Sequence, residues 1–147
     1  MQTRLLLWLS GVIALTACCT AFLARGTEPT ADTASNASRL AVLWSSGDPD
    51  VAHRVCLMYT HAAATNHWFG EVRLIVWGPS ARLLAGDKDL QAKVQAMMKD
   101  GVEVQACIVC ADSYGVADTL RGLGIEVKPM GRPLTDMLQG GYHVLTF

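Results

Sequence analysis

Residues 39–147 alternate short apolar runs with amphipathic stretches, and this alternation restricts the fold more than any other feature of the chain. Residues 40–44 are apolar without interruption and stop at Ser45-Ser46-Gly47-Asp48-Pro49. A strand buried on both faces has this pattern, because both sides of its pleat meet apolar neighbours. Comparable runs occupy residues 72–77, 102–107, 125–129 and 142–147. Helical stretches are expected between them, over residues 50–65, 80–84, 89–99, 116–123 and 134–139. In the first, Val51, Val55, Met58, Tyr59 and Ala62 are spaced to share an inward face. In the third, Leu90, Val94, Met97 and Met98 do the same. Regular alternation of this kind predicts an α/β domain: a mostly parallel five-stranded sheet, right-handed crossovers and helices on both faces.

A second feature precedes that domain. After the basic start Met1-Gln2-Thr3-Arg4, residues 5–24 run without a charged side chain for 20 residues. That length suits a bilayer-crossing helix. Leu15-Thr16-Ala17-Cys18 also closely resembles the bacterial lipobox, in which the cysteine is acylated and becomes the mature N-terminus. Residues 1–24 are therefore read as a lipoprotein leader with Cys18 as its lipidation site, as an uncleaved membrane anchor, or as an ordinary secretory signal. Each reading exports the remaining chain to the periplasmic side of a bacterial membrane. Residues 25–38, rich in Thr, Ala and Ser and lacking hydrophobic periodicity, read as a flexible linker to the domain at 39–147.

Composition removes several function classes. With 12 Lys+Arg against 13 Asp+Glu the formal charge is −1, so the concentrated positive charge of a nucleic-acid binder is missing. Hydrophobic residues at 51% and charged residues at 17% exclude a disordered chain. Five cysteines do not make the dense, even-numbered framework of a small disulfide-stapled fold.

In an open parallel sheet, ligands and chemistry gather beyond the carboxyl ends of the strands. Three segments fall there: Ser45-Ser46-Gly47-Asp48, Gly78-Pro79-Ser80 and Cys107-Ile108-Val109-Cys110. A cysteine leaving a strand for a helix start meets unpaired N–H groups, which favour the reactive thiolate. Cys107 is accordingly expected to be accessible and activated. Cys110, three residues on, is placed to resolve a persulfide, close a disulfide or share a metal. The plainer alternative is that both finish a strand as small buried hydrophobes. Zinc would need two further ligands at suitable spacing, and there is no second C-x-x-C, so no metal is expected. No organic cofactor is expected either, since thiol exchange requires only a thiolate and access. His53, His61, His67 and His143 show no ligand spacing and read as surface or capping residues. Cys56 lies between Val55 and Leu57 and reads as core packing. Trp44 and Trp77 end two strands and read the same way.

Residues 104–116, Val-Gln-Ala-Cys-Ile-Val-Cys-Ala-Asp-Ser-Tyr-Gly-Val, resemble the cysteine segment of the DsrE/DsrF-like family. There a strand-end cysteine is followed seven and eight positions later by an aromatic-Gly or Arg-Gly pair. Residues 76–84 resemble that family's second-strand segment, and residues 130–135 its C-terminal turn. The resemblance implies a flavodoxin-like three-layer α/β sandwich that assembles with itself into trimers or hexamers. It also implies sulfur carriage as a cysteine persulfide, with a sulfur donor or acceptor protein, or a small sulfur compound, as partner. Cys107 matches the sulfur-accepting cysteine of the relay subunits, and Cys110 the cysteine of single-protein members. Tyr114 stands where many members carry Arg.

The sequence therefore predicts an exported, membrane-tethered protein handling sulfane sulfur or thiol redox at Cys107 and Cys110, as a sulfurtransferase or sulfur carrier. Export makes a tRNA-thiolation role, and any nucleic-acid partner, unexpected. The alternative is a non-catalytic binding or assembly module with a structural Cys107–Cys110 disulfide. A thioredoxin-like oxidoreductase fits less well, because that family carries its C-x-x-C after an early strand.

Overall fold

The computed structural model of the protein describes residues 38–147. The expected leader with Cys18, and the linker up to residue 37, lie outside the described residues. Five strands form one all-parallel sheet: β1 (Arg39–Trp44), β2 (Glu71–Val76), β3 (Glu103–Cys107), β4 (Glu126–Lys128) and β5 (His143–Thr146). Their spatial order is β4-β3-β2-β1-β5.

That order places the helices. From β1 to β4 the chain steps one strand at a time in one direction, so right-handed crossovers put every intervening helix on one face. These are α1 (residues 49–65), α2 (Pro79–Gly86), α3 (Lys88–Lys99), α4 (Ile108–Ser113) and α5 (Ala117–Gly122). The return from β4 to β5 runs the opposite way, so α6 (Gly131–Gln139) lies on the other face. The core divides accordingly. A large cluster built on Leu40, Val42, Leu74, Val76, Val104 and Ala106 packs against the five helices. A small one, Ala41, Ile75, Cys107, Met130 and Met137, lies under α6 alone.

With a single helix over it, the second face is apolar only toward the carboxyl ends of its strands. Its amino half carries a polar ladder. The Arg73 Nε donates to Glu71 at 2.5 Å and faces Glu103 at 3.0 Å, and the Lys128 Nζ meets Glu126 at 2.6 Å. The buried Gln105 amide donates to both Glu103 and Glu126. The guanidiniums of Arg39 and Arg73 lie 4.4 and 5.4 Å from the centre of the Tyr142 ring.

Helix α1 differs from its expected form. It begins at Pro49–Val51, passes through a π-helical turn at Ala52–Cys56, and continues as Leu57–Thr65. Asp48 caps it, accepting from the N–H groups of Asp50 and Val51. The Leu57 N–H bonds the carbonyl of Ala52, five residues back, so the turn holds one residue more than an α-turn. The buried residues are Ala52, Cys56, Leu57, Thr60 and Ala63, whereas Val55 and Met58 are exposed. The inward face is thus displaced by one position from the expected one along the whole helix, starting at Ala52, which is fully buried where Val51 was expected to be. In α3 the expected Leu90, Val94 and Met97 are buried. The stretch 108–113, expected only as a turn or helix start, is the helix α4. Among the described residues no helix is long and apolar enough to cross a membrane.

Three carboxyls sit below their ordinary range. Backbone N–H donation, led by Leu90, lowers Asp87, the N-cap of α3. Lys128 lowers Glu126. Burial pushes Glu71 up, but the Tyr142 hydroxyl and Arg73 outweigh it. A carboxyl lowered in the folded state contributes stability above its unfolded pKa of about 4.3 for Glu or 3.9 for Asp, and loses it as pH falls through the folded value. Thermal midpoints are therefore expected to stay level from pH 7 to 5 and to drop below pH ~4. Glu71→Gln should make that acid-side drop shallower; an unchanged profile would remove Glu71 from the account.

Candidate functional site

The order in which the chain adds strands reverses at β1, with β5 on its far side, where a parallel α/β fold ordinarily opens a ligand crevice. Here the crevice is closed. The carbonyl oxygen of Phe147 accepts from the Ser45 N–H at 2.7 Å, the Ser46 N–H at 3.0 Å and the Ser45 hydroxyl at 2.9 Å. The available chemistry moves along the same sheet edge, to the ends of β2 and β3.

Cys107 is the last residue of β3 and the N-cap of α4. It is 4% exposed, beneath α6 with Met130 and Met137. This corrects the expectation that Cys107 is accessible: its strand position points it into the thin core under α6. Cys110, in the first turn of α4, is only partly buried and packs against the same cluster from its rim. Next to it, Val109 is 69% exposed. The two thiols are close enough for Cys107 to help raise the Cys110 thiol, and both cysteines are free.

Burial pushes the Cys110 thiol above its ordinary value, and the neighbouring Cys107 raises it further. Opposing both is one donor, the main-chain N–H of Gly78, which acts on the Cys110 thiol from the turn after β2. Two of the three strand-end segments singled out in the sequence are thereby joined. Gly78 was signalled only as part of its segment, because nothing in local sequence says which amide acts on which thiol.

Helix α4 is short because its exit is sharp. Tyr114 caps it, and Gly115 follows at φ 67°, the left-handed conformation that glycine supplies at helix ends. The Tyr114-Gly115 pair seen in the sequence thus sets the length of the cysteine helix. Over the Tyr114 ring, at 5.1 Å, lies the guanidinium of Arg82 from α2. Helix α2 thereby brings a cation to the end of the cysteine helix.

The remaining candidates fall outside this site. Cys56 is fully buried, and burial pushes its thiol up to about 12. His53 faces Asp87 at 3.6 Å and His61 bonds Asp100 at 2.6 Å, so the two imidazoles meet the two caps of α3. Trp44 is fully buried, and Trp77 packs against the cluster under α6. Among the described residues no three His, Cys, Asp or Glu side chains gather as metal ligands.

A five-stranded parallel α/β domain with two neighbouring thiols at the carboxyl end of its third strand is the class of protein defined so far. The sequence profile of the DsrE/DsrF-like family matches residues 21–147, and the chain belongs to that family. A solved protein of unknown function from Bacteroides thetaiotaomicron is similar in fold, with a TM-score of 0.72 and 32% identity over 75% of this chain and 95% of that one. No curated protein matches the chain.

Proposed function

We propose that this DsrE-like protein takes up sulfane sulfur on Cys110 and hands it on, with Cys107 as the resolving thiol. The observation that carries the proposal is one partly exposed and one buried thiol side by side at the end of β3. The difference in exposure favours giving uptake to Cys110 and resolution to Cys107, the reverse of the order that the motif suggests. The Cys110 thiolate attacks the outer sulfur of a donor persulfide. A new S–S bond forms on Cys110, the donor's S–S bond breaks, and the donor leaves as a thiolate. An acceptor thiolate then attacks the outer sulfur and restores Cys110. In the absence of an acceptor, the Cys107 thiolate attacks the Cys110 sulfur, closes a disulfide and expels hydrosulfide. Both routes balance without an external oxidant or a cofactor.

We place this chemistry on the outer side of a bacterial membrane, with residues 1–24 as leader and Cys18 as the acylated residue. Intact and peptide-level mass spectrometry of protein from its native membrane fraction tests both parts. The expected result is a lipid mass on Cys18 and, after a sulfane donor, one sulfur atom on Cys110. Alkylation after gentle reduction should label Cys110 and leave Cys56 untouched. Sulfur on neither Cys107 nor Cys110 would leave the pair as a structural feature and overturn the proposal.

A further inference from the structure

We infer that the cavity between α6 and the polar ladder of the second sheet face binds a small zwitterion of the α-amino-acid class. The inference goes beyond the thiol chemistry, since the cavity shares only Met137 and Tyr142 with the cluster around Cys107. Its volume is about 280 Å³, below the range for drug-sized ligands, so its occupant is small. Gln105 of β3 forms part of its wall. That residue is 2% exposed, and its Nε2 donates to Glu103 at 2.7 Å and to Glu126 at 2.8 Å. Two carboxylate acceptors fix which end of the amide is nitrogen, because the reversed amide would set its oxygen against both. The remaining Oε1 is buried and has no hydrogen-bond partner among the described residues. Buried acceptors are almost always paired, so an open one on a cavity wall marks a place for a donor. Glu103 and Glu126 make its surroundings negative, which favours an ammonium over a neutral hydroxyl.

The rest of the wall calls for an anion. Arg39, Arg73 and Lys128 line the cavity, against the single lining carboxylate of Asp136, which already faces Arg132 at 2.7 Å. Arg73 and Lys128 are held by carboxylates of the ladder. Arg39 is not. Its guanidinium donates to the carbonyl of Gly140 and lies on the Tyr142 ring, and no carboxylate is ion-paired with it among the described residues. The two demands also lie close together: the Lys128 ammonium and the Gln105 amide share one oxygen of Glu126, at 2.6 and 2.8 Å. An open acceptor near a cation is the complement of an ammonium near a carboxylate, and a free amino acid carries that pair on one carbon.

The test is calorimetric titration of the full-length protein in detergent with three probes. L-Alanine carries both charges, propionate lacks the ammonium, and ethylamine lacks the carboxylate. L-Alanine is expected to bind at least about tenfold more tightly than either of the others. Gln105→Met, which keeps the side-chain volume and removes the acceptor, should weaken L-alanine by about tenfold or more. Arg39→Gln should do the same, and because Arg39 is only partly buried it tests the site even where Gln105→Met fails to fold. Arg54→Gln, at an exposed cation of α1 on the other sheet face, should leave the affinity unchanged. No L-alanine binding up to about 10 mM, or propionate binding as tightly, would overturn the inference. So would wild-type affinity in either folded cavity variant, or an equal loss in Arg54→Gln.

Discussion

Under the proposed function, Cys110→Ser is expected to abolish sulfur loading to background, and Cys107→Ser to load normally but no longer release hydrosulfide in the absence of an acceptor. This asymmetry is the largest effect expected at the site, and it follows from burial. A donor persulfide must bring its outer sulfur into line with the attacking thiolate, and Cys107, 4% exposed under Met130 and Met137, offers no such approach. Cys110 lies at the rim of the same cluster beside the exposed Val109. Once Cys110 carries sulfur, Cys107 is already beside it and needs no access from outside. Mass mapping of loaded variants and colorimetric sulfide release give the two readings. Full loading of Cys110→Ser with sulfur on Cys107 would reverse the assignment and would require the α6 side to open.

The second large effect concerns stability and separates two neighbours in α1. Leu57 is fully buried in the main core, and Leu57→Ala should cost about 2–5 kcal/mol, the range for emptying a packed aliphatic site. Met58 is 57% exposed, and Met58→Ala should change stability by less than about 0.5 kcal/mol. Denaturant midpoints measure both. A helix with uninterrupted α-periodicity from Val51 would give the opposite ranking, with Met58 as the costly position. The pair therefore tests directly which face of α1 is turned inward.

Much of the architecture was readable from local pattern. Each strand is a short apolar run closed by turn residues, and the five runs at 40–44, 72–77, 102–107, 125–129 and 142–147 overlap the five observed strands. Leu90, Val94 and Met97 face inward because α3 is a regular helix, for which spacing and direction are the same information. Cys56 was recognisable as core from its apolar neighbours. The inward face of α1 was not readable, since Val51 and Ala52 are both apolar and local spacing does not say which of them starts the buried stripe. The roles of the two cysteines were not readable either, because C-x-x-C spacing is symmetrical with respect to exposure.

By itself the sequence determined the class of fold, the number and parallel pairing of the strands, the membership of the DsrE/DsrF-like family and the two cysteines worth attention. These rest on periodicity and on residues near one another in the chain, which local sequence encodes. Tertiary structure alone decided that α6 covers the second face unaided and that the β1/β5 crevice is closed by Phe147. It also decided that Cys107 is buried while Cys110 is only partly buried, and that Gly78, 32 residues earlier in the chain, acts on the Cys110 thiol. Each of these depends on which strand lies beside which and on the depth to which a helix sinks. Those are properties of the assembled sheet, and no single segment of the chain carries them.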